Sequence, residues 1–157
     1  MRIQSGIAMK LALPSSDAFW VMASAYRDAG NSVLTTIQTG TYTGLAVMPC
    51  VFLFFRSIEL VIKAVLVHHG IPEKDITRKL GHRISDLLVR TEEFTSLERI
   101  GIEPQERQLL DTYSDGYANK LFEYSDSWWD YPHLEQLQGL AHRVCEAVRR
   151  YEQQSVR

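Results

Sequence analysis

The sequence predicts an all-α fold, an up-and-down bundle of about four to five helices. Apolar residues recur at steps of three and four along most of the chain, and no segment alternates as a half-buried strand does. Glycine and proline interrupt this pattern where helices would begin or end. With 157 residues and 45% apolar content, the chain can bury one core, so we expect a single domain over residues 15–157 after an extension, residues 1–14.

The first two helices are predicted from capping residues and apolar pattern. Ser15, Ser16 and Asp17 are N-cap residue types. They precede a stripe that we expect to face the core, formed by Phe19, Met22, Tyr26, Ala29, Val33 and Ile37. Residues 45–69 are apolar nearly all round, which predicts the central and most buried helix, opened or kinked by Pro49 and ended at Gly70.

The second half of the chain predicts three more helices. Residues 72–80 are charged and are expected to form a loop or short turn before a third helix over residues 81–94. Pro104 opens a fourth helix, whose stripe is Leu110, Tyr113, Tyr117, Leu121 and Tyr124. The last helix has the a/d pattern of a helix packed along its whole length, with Leu134, Leu137, Ala141, Val144, Val148 and Tyr151.

Composition limits the classes of partner and cofactor. The net charge of −2 gives no overall attraction for nucleic acid. No convincing signal peptide or membrane-spanning run is present, and Cys50 and Cys145 lack metal-ligand spacing, so we expect a cytoplasmic protein with reduced, buried cysteines and no membrane association. The Glu-x-x-His pattern of di-iron bundles is absent, so no metal or other cofactor is predicted.

Charged residues inside the central helix are the first candidates for a site. Glu59 and Lys63 are four residues apart and so lie on one face of the helix, with Arg56 close to the same face. Because an unpaired buried charge is very unfavourable, these groups are expected to pair. The pair would either hold the edge of the core together or form a polar groove in the bundle.

His82 is the second candidate, because it follows Gly81 at the expected start of the third helix. A helix N-terminus disfavours a protonated imidazole, and Asp86, one turn further on, could orient the ring. A neutral and oriented His can act as a general base. It can equally cap a helix or link two helices.

The stretch ELVIKAVL, a variable loop and then GHRISDLL resemble the core of the HEPN family (higher eukaryotes and prokaryotes nucleotide-binding domains). The resemblance rests on Glu59-Leu60, Lys63-Ala64, Gly81-His82 and Leu87-Leu88, and it is best over residues 45–95. It implies a helical bundle, often a homodimer, that associates with RNA or nucleotides. It further implies a role in toxin–antitoxin or defence systems, with an antitoxin or a nucleotidyltransferase-like protein as partner.

Catalytic members of that family are metal-independent RNases in which four to six residues separate an Arg from the His that follows it, and this sequence departs from the pattern. Arg78 precedes His82 with only three residues between them. We therefore expect RNA or nucleotide binding without the usual catalytic motif. Two alternatives stay open: a metal-independent RNase that uses Arg78 and His82, and a module for protein interaction without catalysis.

The aromatic loop SDSWWDYP is the remaining candidate region. Trp128, Trp129 and Tyr131 would either plug the loop onto the bundle, stack on bases of single-stranded RNA, or form a protein interface. The acidic residues Asp126 and Asp130 beside them disfavour a phosphate at this loop.

Overall fold

The computed structural model describes residues 15–41, 47–121 and 132–155, and within these ranges the predicted all-α fold is confirmed. The main helices are α1 (Ser15–Gln38), α2 (Val47–His68), α4 (Ile84–Glu92), α5 (Pro104–Ala118) and α6 (Leu134–Ser155). Between α2 and α4 lie the short α3 (Glu73–Asp75) and a turn of π-helix, Ile76–Leu80. A turn of 3₁₀-helix, Glu98–Ile100, precedes α5.

Helix α2 is the centre of the bundle, as its sequence predicts. It packs against α1, α4 and α6, and its side chains are buried almost continuously from Ser57 to Leu66. Pro49 lies in the first turn, where its missing N–H leaves no hydrogen bond unmade, so it opens the helix rather than kinking it. A helix covered on several sides must carry apolar residues on all of them.

The predicted core stripe of α1 is wrong in register at two positions. Met22 is 50% exposed and Ala29 is also exposed, whereas Ala23, Gly30 and Leu34 are buried. The cause is a close approach at Gly30, where an added Cβ would lie 2.7 Å from the ring of Phe54. The small glycine lets the two helices approach, and this rotates α1 relative to the stripe that its larger apolar residues predict.

The third and fourth helices are shorter than predicted. Helix α4 begins at Ile84 rather than at residue 81, and the charged segment 72–80, predicted as a loop or short turn, contains the short α3 and the π-helical turn. Gly81 separates the π-helical turn from α4. Its φ of 59° and ψ of −122° are accessible to glycine but unfavourable for other residues. Helix α5 ends at Ala118, so its predicted extension through Leu121 is wrong, and Tyr124 lies outside the described residues.

Helix α6 confirms its predicted seam. Leu137, Ala141, Val144, Val148 and Tyr151 are all buried against the rest of the bundle. Both cysteines are buried, and burial, together with the charge of Glu135, raises the pKa of Cys50 to about 11. None of the helices in the described part of the chain has the length and apolar character needed to cross a bilayer.

Candidate functional site

A buried carboxylate in the middle of α2 is the centre of the candidate site. Glu59 is 0% exposed, and Lys63, one turn further along the helix, is 4% exposed. The predicted pairing is observed, since Lys63 Nζ donates to Glu59 Oε1 at 2.6 Å. Arg56 Nη1, one turn earlier, donates to both carboxylate oxygens at 2.9 Å. The helix therefore places two cations around one buried anion.

Two further residues reach Glu59 from other parts of the fold. His82, in the turn before α4, lies with Nδ1 at 3.0 Å from Glu59 Oε1. The hydroxyl of Tyr117, a buried residue of α5, donates to Glu59 Oε2. The left-handed backbone at Gly81 turns the chain so that His82 faces α2 instead of continuing the π-helix. We call these five residues, Arg56, Glu59, Lys63, His82 and Tyr117, the Glu59 network.

The network keeps Glu59 ionised in spite of its burial. Burial alone would raise the pKa of this carboxyl, but the charge of Lys63 and the hydrogen bonds from Lys63 and Tyr117 lower it below its ordinary value. The same contacts act on the donors: burial and the charge of Glu59 raise the pKa of Tyr117, and the charge of Glu59 raises that of Arg56 against the effect of burial. Glu59 is therefore an acceptor of hydrogen bonds only.

An ionised Glu59 fixes which nitrogen of His82 carries the proton. At 3.0 Å, an unprotonated Nδ1 would set its lone pair against a carboxylate oxygen, so we assign the ring proton to Nδ1, which then donates to Glu59. The 3.1 Å approach of Arg56 Nη1 to the same nitrogen is then a contact between two donors. Nε2 of a neutral His82 is left as a hydrogen-bond acceptor, on a side chain that is 52% exposed.

A cavity of about 210 Å³ adjoins the network on its solvent side. It is lined by Tyr26, Phe52, Arg56, His82, Tyr117, Ala118 and Lys120. The buried members Glu59 and Lys63 are absent from this lining, whereas Arg56, His82 and Tyr117 belong to both the network and the cavity. The site thus has an inner part that is structural and an outer part that a ligand can contact.

Aromatic rings hold the walls of this cavity in place. The guanidinium of Arg56 lies 5.9 Å from the centre of the Tyr26 ring, within the range of a cation–π contact. Tyr117 packs against Phe52 and stacks on Phe55, with ring centres 6.1 and 5.6 Å apart. The lining therefore combines cationic groups with half-buried aromatic faces.

Not all residues singled out in the sequence belong to this site. Asp86 pairs with Arg83 at 3.3 Å and therefore does not orient His82. The carboxylate that orients the His82 ring is Glu59. Arg78 lies exposed in the π-helical turn, is absent from the cavity lining, and makes no ion pair with any described residue. Trp128, Trp129 and Tyr131 fall outside the residues that the structure describes.

Five of the seven lining residues were not identified as site residues from the sequence: Tyr26, Phe52, Tyr117, Ala118 and Lys120. Tyr26 and Tyr117 were assigned to apolar stripes, where a tyrosine among leucines is the only hint of a polar partner. Phe52 is one of many apolar residues of α2. Nothing in the sequence marks Lys120 as a site residue, because its position depends on the backbone turn that ends α5.

Comparison with models of protein families, with curated proteins and with solved structures finds no match for this chain. Within residues 15–41, 47–121 and 132–155, no three side chains of His, Cys, Asp or Glu gather as metal ligands would. The candidate site therefore has to be interpreted from its own geometry.

Proposed function

We propose that this protein is a HEPN-like RNA- or nucleotide-binding protein and that the cavity beside the Glu59 network is its binding site. The observation that carries the proposal is the lining itself, in which Arg56, His82 and Lys120 surround a small space bounded by Tyr26 and Phe52. Cationic donors beside aromatic faces are the groups that bind the phosphate and the base of a single-stranded nucleotide.

Charge at the site favours an anion in spite of the overall charge of the chain. Arg56, Lys63 and Lys120 contribute three positive charges and Glu59 one negative charge, a local excess of +2 with His82 neutral. Both contacts of Arg56 with Glu59 use Nη1, and the side chain remains 25% exposed where it lines the cavity. Arginine is well suited to this task because its planar fork matches phosphate oxygens.

The resemblance of the stretch from Glu59 to Leu88 to HEPN sequences agrees with this proposal. The residues that carry the resemblance, Glu59, Lys63 and His82, are three of the five members of the network. From the family we also propose a homodimer and a role in a toxin–antitoxin or defence system, with an antitoxin or nucleotidyltransferase-like partner. Light scattering after gel filtration tests the dimer, since a mass of 18.0 kDa would contradict it.

Binding of single-stranded RNA, followed by fluorescence anisotropy of an internally labelled oligonucleotide, tests the proposed function. We expect His82→Ala and Arg56→Gln to weaken binding at least about tenfold, the effect of losing one charge-assisted hydrogen bond. Arg78→Gln is the matched control, because it removes one exposed positive charge outside the cavity. Equal loss in Arg56→Gln and Arg78→Gln would mean that only diffuse charge matters, and it would contradict the assignment of this site.

A second candidate function, metal-independent RNA cleavage, is favoured by one observation. The bond from His82 Nδ1 to Glu59 leaves Nε2 as an acceptor at the cavity. In this reaction the 2′-oxygen attacks phosphorus, its proton moves to Nε2, and the P–O5′ bond breaks, with the 5′-oxygen taking a proton from the imidazolium or from water. Arg56 rather than Arg78 would stabilise charge on the phosphate, because Arg56 lines the cavity.

Incubation of labelled RNA with the protein in EDTA separates these two candidates. Cleavage leaves a 2′,3′-cyclic phosphate on the 5′ product. If the protein is an RNase, His82→Ala abolishes this product and Arg78→Gln retains it. Binding without any product in the wild-type protein assigns the site to binding alone.

A further inference from the structure

The backbone of Lys120 is unusual for the residue that it carries. Its φ is +58°, and it is the one residue other than glycine with a positive φ among those that the structure describes. A left-handed conformation is unfavourable for an L-residue that carries a side chain. Such positions persist where the surrounding structure holds them, and they are concentrated at functional sites.

The turn that imposes this conformation brings Lys120 to the mouth of the cavity. The N–H of Asn119 donates to Asp115 O, and the N–H of Lys120 donates to Tyr117 O, both at 3.0 Å, which closes the end of α5. Lys120 is exposed, lines the cavity beside His82 and Arg56, and forms no ion pair with the described residues. Its exposure and its place in the lining make the ammonium group a candidate contact for a ligand.

The dimensions and charge of the cavity distinguish between kinds of phosphate. Its volume of about 210 Å³ is below the ~300–1,000 Å³ of pockets that enclose a drug-sized ligand. Tyr117, which lines the cavity, is 5% exposed and bonded to the buried Glu59. A phosphomonoester carries a charge of about −1.5 to −2 at pH 7, against −1 for an internal phosphodiester. The local excess of +2 matches the monoester better.

We propose that the cavity takes a terminal phosphomonoester, on a free nucleoside monophosphate or on the end of an RNA chain, and that Lys120 is the residue that selects this group over an internal phosphodiester. The inference rests on the proposed function, because it names the ligand class of the same site. Lys120 would contact the phosphate oxygens at the rim, while Arg56 and His82 contact them from inside.

Calorimetric titration tests this inference with matched ligands. The probes are one single-stranded RNA with a 5′-phosphate, with a 3′-phosphate or with hydroxyls at both ends, together with AMP, adenosine and inorganic phosphate. We expect a preference of about tenfold for a phosphorylated end over the hydroxyl-ended RNA, as an added charge-assisted contact gives. AMP that binds as tightly as the phosphorylated RNA identifies a free mononucleotide as sufficient, whereas weaker binding of AMP identifies the RNA end.

Two variants of Lys120 separate recognition from structure. Lys120→Gly should lose the preference for a phosphorylated end and also raise the midpoint of thermal unfolding, because glycine adopts a positive φ without strain. Lys120→Asn, which also tolerates this conformation, should lose the preference as well. Lys74→Gln is the control, since it removes an exposed lysine that lies outside the cavity.

The outcomes distinguish failure of this inference from failure of the proposed function. Wild-type protein that binds RNA equally with and without a terminal phosphate overturns the inference and leaves the proposed function standing. A preference that survives in Lys120→Gly overturns the assignment to Lys120. Absence of binding with every probe overturns both.

Discussion

Two buried carboxylates on different helices of the bundle have opposite surroundings. Glu59 on α2 is 0% exposed and receives hydrogen bonds from Arg56, Lys63, His82 and Tyr117. Glu152 on α6 is 6% exposed, and its Oε1 has no hydrogen-bond partner in the described part of the chain. The pKa of Glu59 is lowered, whereas burial and the nearby Asp17 raise the pKa of Glu152.

The difference shows what keeps a buried charge in place. A cation also lies near Glu152, but Arg149 donates to Asp17 at 2.7 Å and lies 4.8 Å from the centre of the Trp20 ring. Proximity of a charge is therefore not enough, because the carboxylate needs donors aimed at its oxygens. At Glu59 three elements supply such donors, and three of the donors, Arg56, His82 and Tyr117, also line the cavity.

The largest expected effect comes from neutralising each carboxylate in turn. Glu59→Gln should lower the free energy of unfolding by about 3–5 kcal/mol, because it leaves the buried Lys63 without its counter-charge. Glu152→Gln should be neutral or stabilising by up to about 1 kcal/mol, since it removes an unsatisfied buried charge. Urea unfolding of both variants at pH 7 measures the two values. If the two substitutions change the free energy of unfolding by amounts that agree within about 1 kcal/mol, the distinction between the two carboxylates is wrong.

The dependence on pH sharpens the same comparison. A lowered pKa means that Glu59 stabilises the fold above about pH 4.3, the ordinary value, and that this contribution is lost as the pH falls below it. A raised pKa means that the unfolded state loses the Glu152 proton first, so folding is disfavoured as the pH rises above about 4.3. The penalty of Glu59→Gln and the gain of Glu152→Gln should therefore both grow between pH 3 and pH 7. A Glu59→Gln penalty that does not change with pH would argue against a lowered pKa.

A smaller effect is expected at the turn that presents His82. Gly81→Ala and Gly70→Ala both place a side chain at a positive φ, 59° and 83°, and each should destabilise the protein by about 1 kcal/mol or more. Neither added Cβ meets an atom closer than 4.0 Å, so strain in the backbone is the main term. Only Gly81→Ala should also weaken RNA binding in the anisotropy assay, because Gly81 is next to His82. Similar binding by both variants would mean that the turn does not position the site.

Much of the fold follows from periodicity, and the exceptions have local causes. The seam of α6 and the burial of α2 are visible in the sequence because each pattern repeats over many turns. The register of α1 is not, because it depends on Gly30 meeting Phe54, a contact between two helices. The start of α4 depends on the backbone angles of Gly81. A glycine in the sequence allows a break between two helical segments at this position but does not require one.

The contacts of the candidate site were likewise predictable from the sequence only in part. Spacing within α2 is enough to predict that Glu59 and Lys63 pair, since residues four apart always share a helix face. The contact of His82 with Glu59 joins residues 23 apart across an irregular turn, and spacing instead favoured Asp86 as its partner. Tyr117 and Lys120 come from the far end of α5, so only tertiary packing brings them to the cavity.

The tautomer of His82 is the most direct test that the buried network presents this residue to a ligand. Long-range ¹H–¹⁵N correlation spectra of the ring, recorded during titration with single-stranded RNA, observe its two nitrogens separately. We expect a ring protonated at Nδ1 in the free protein, with RNA shifting mainly the Nε2 signal. A ring protonated at Nε2, or Nε2 signals that do not respond to RNA, would contradict it.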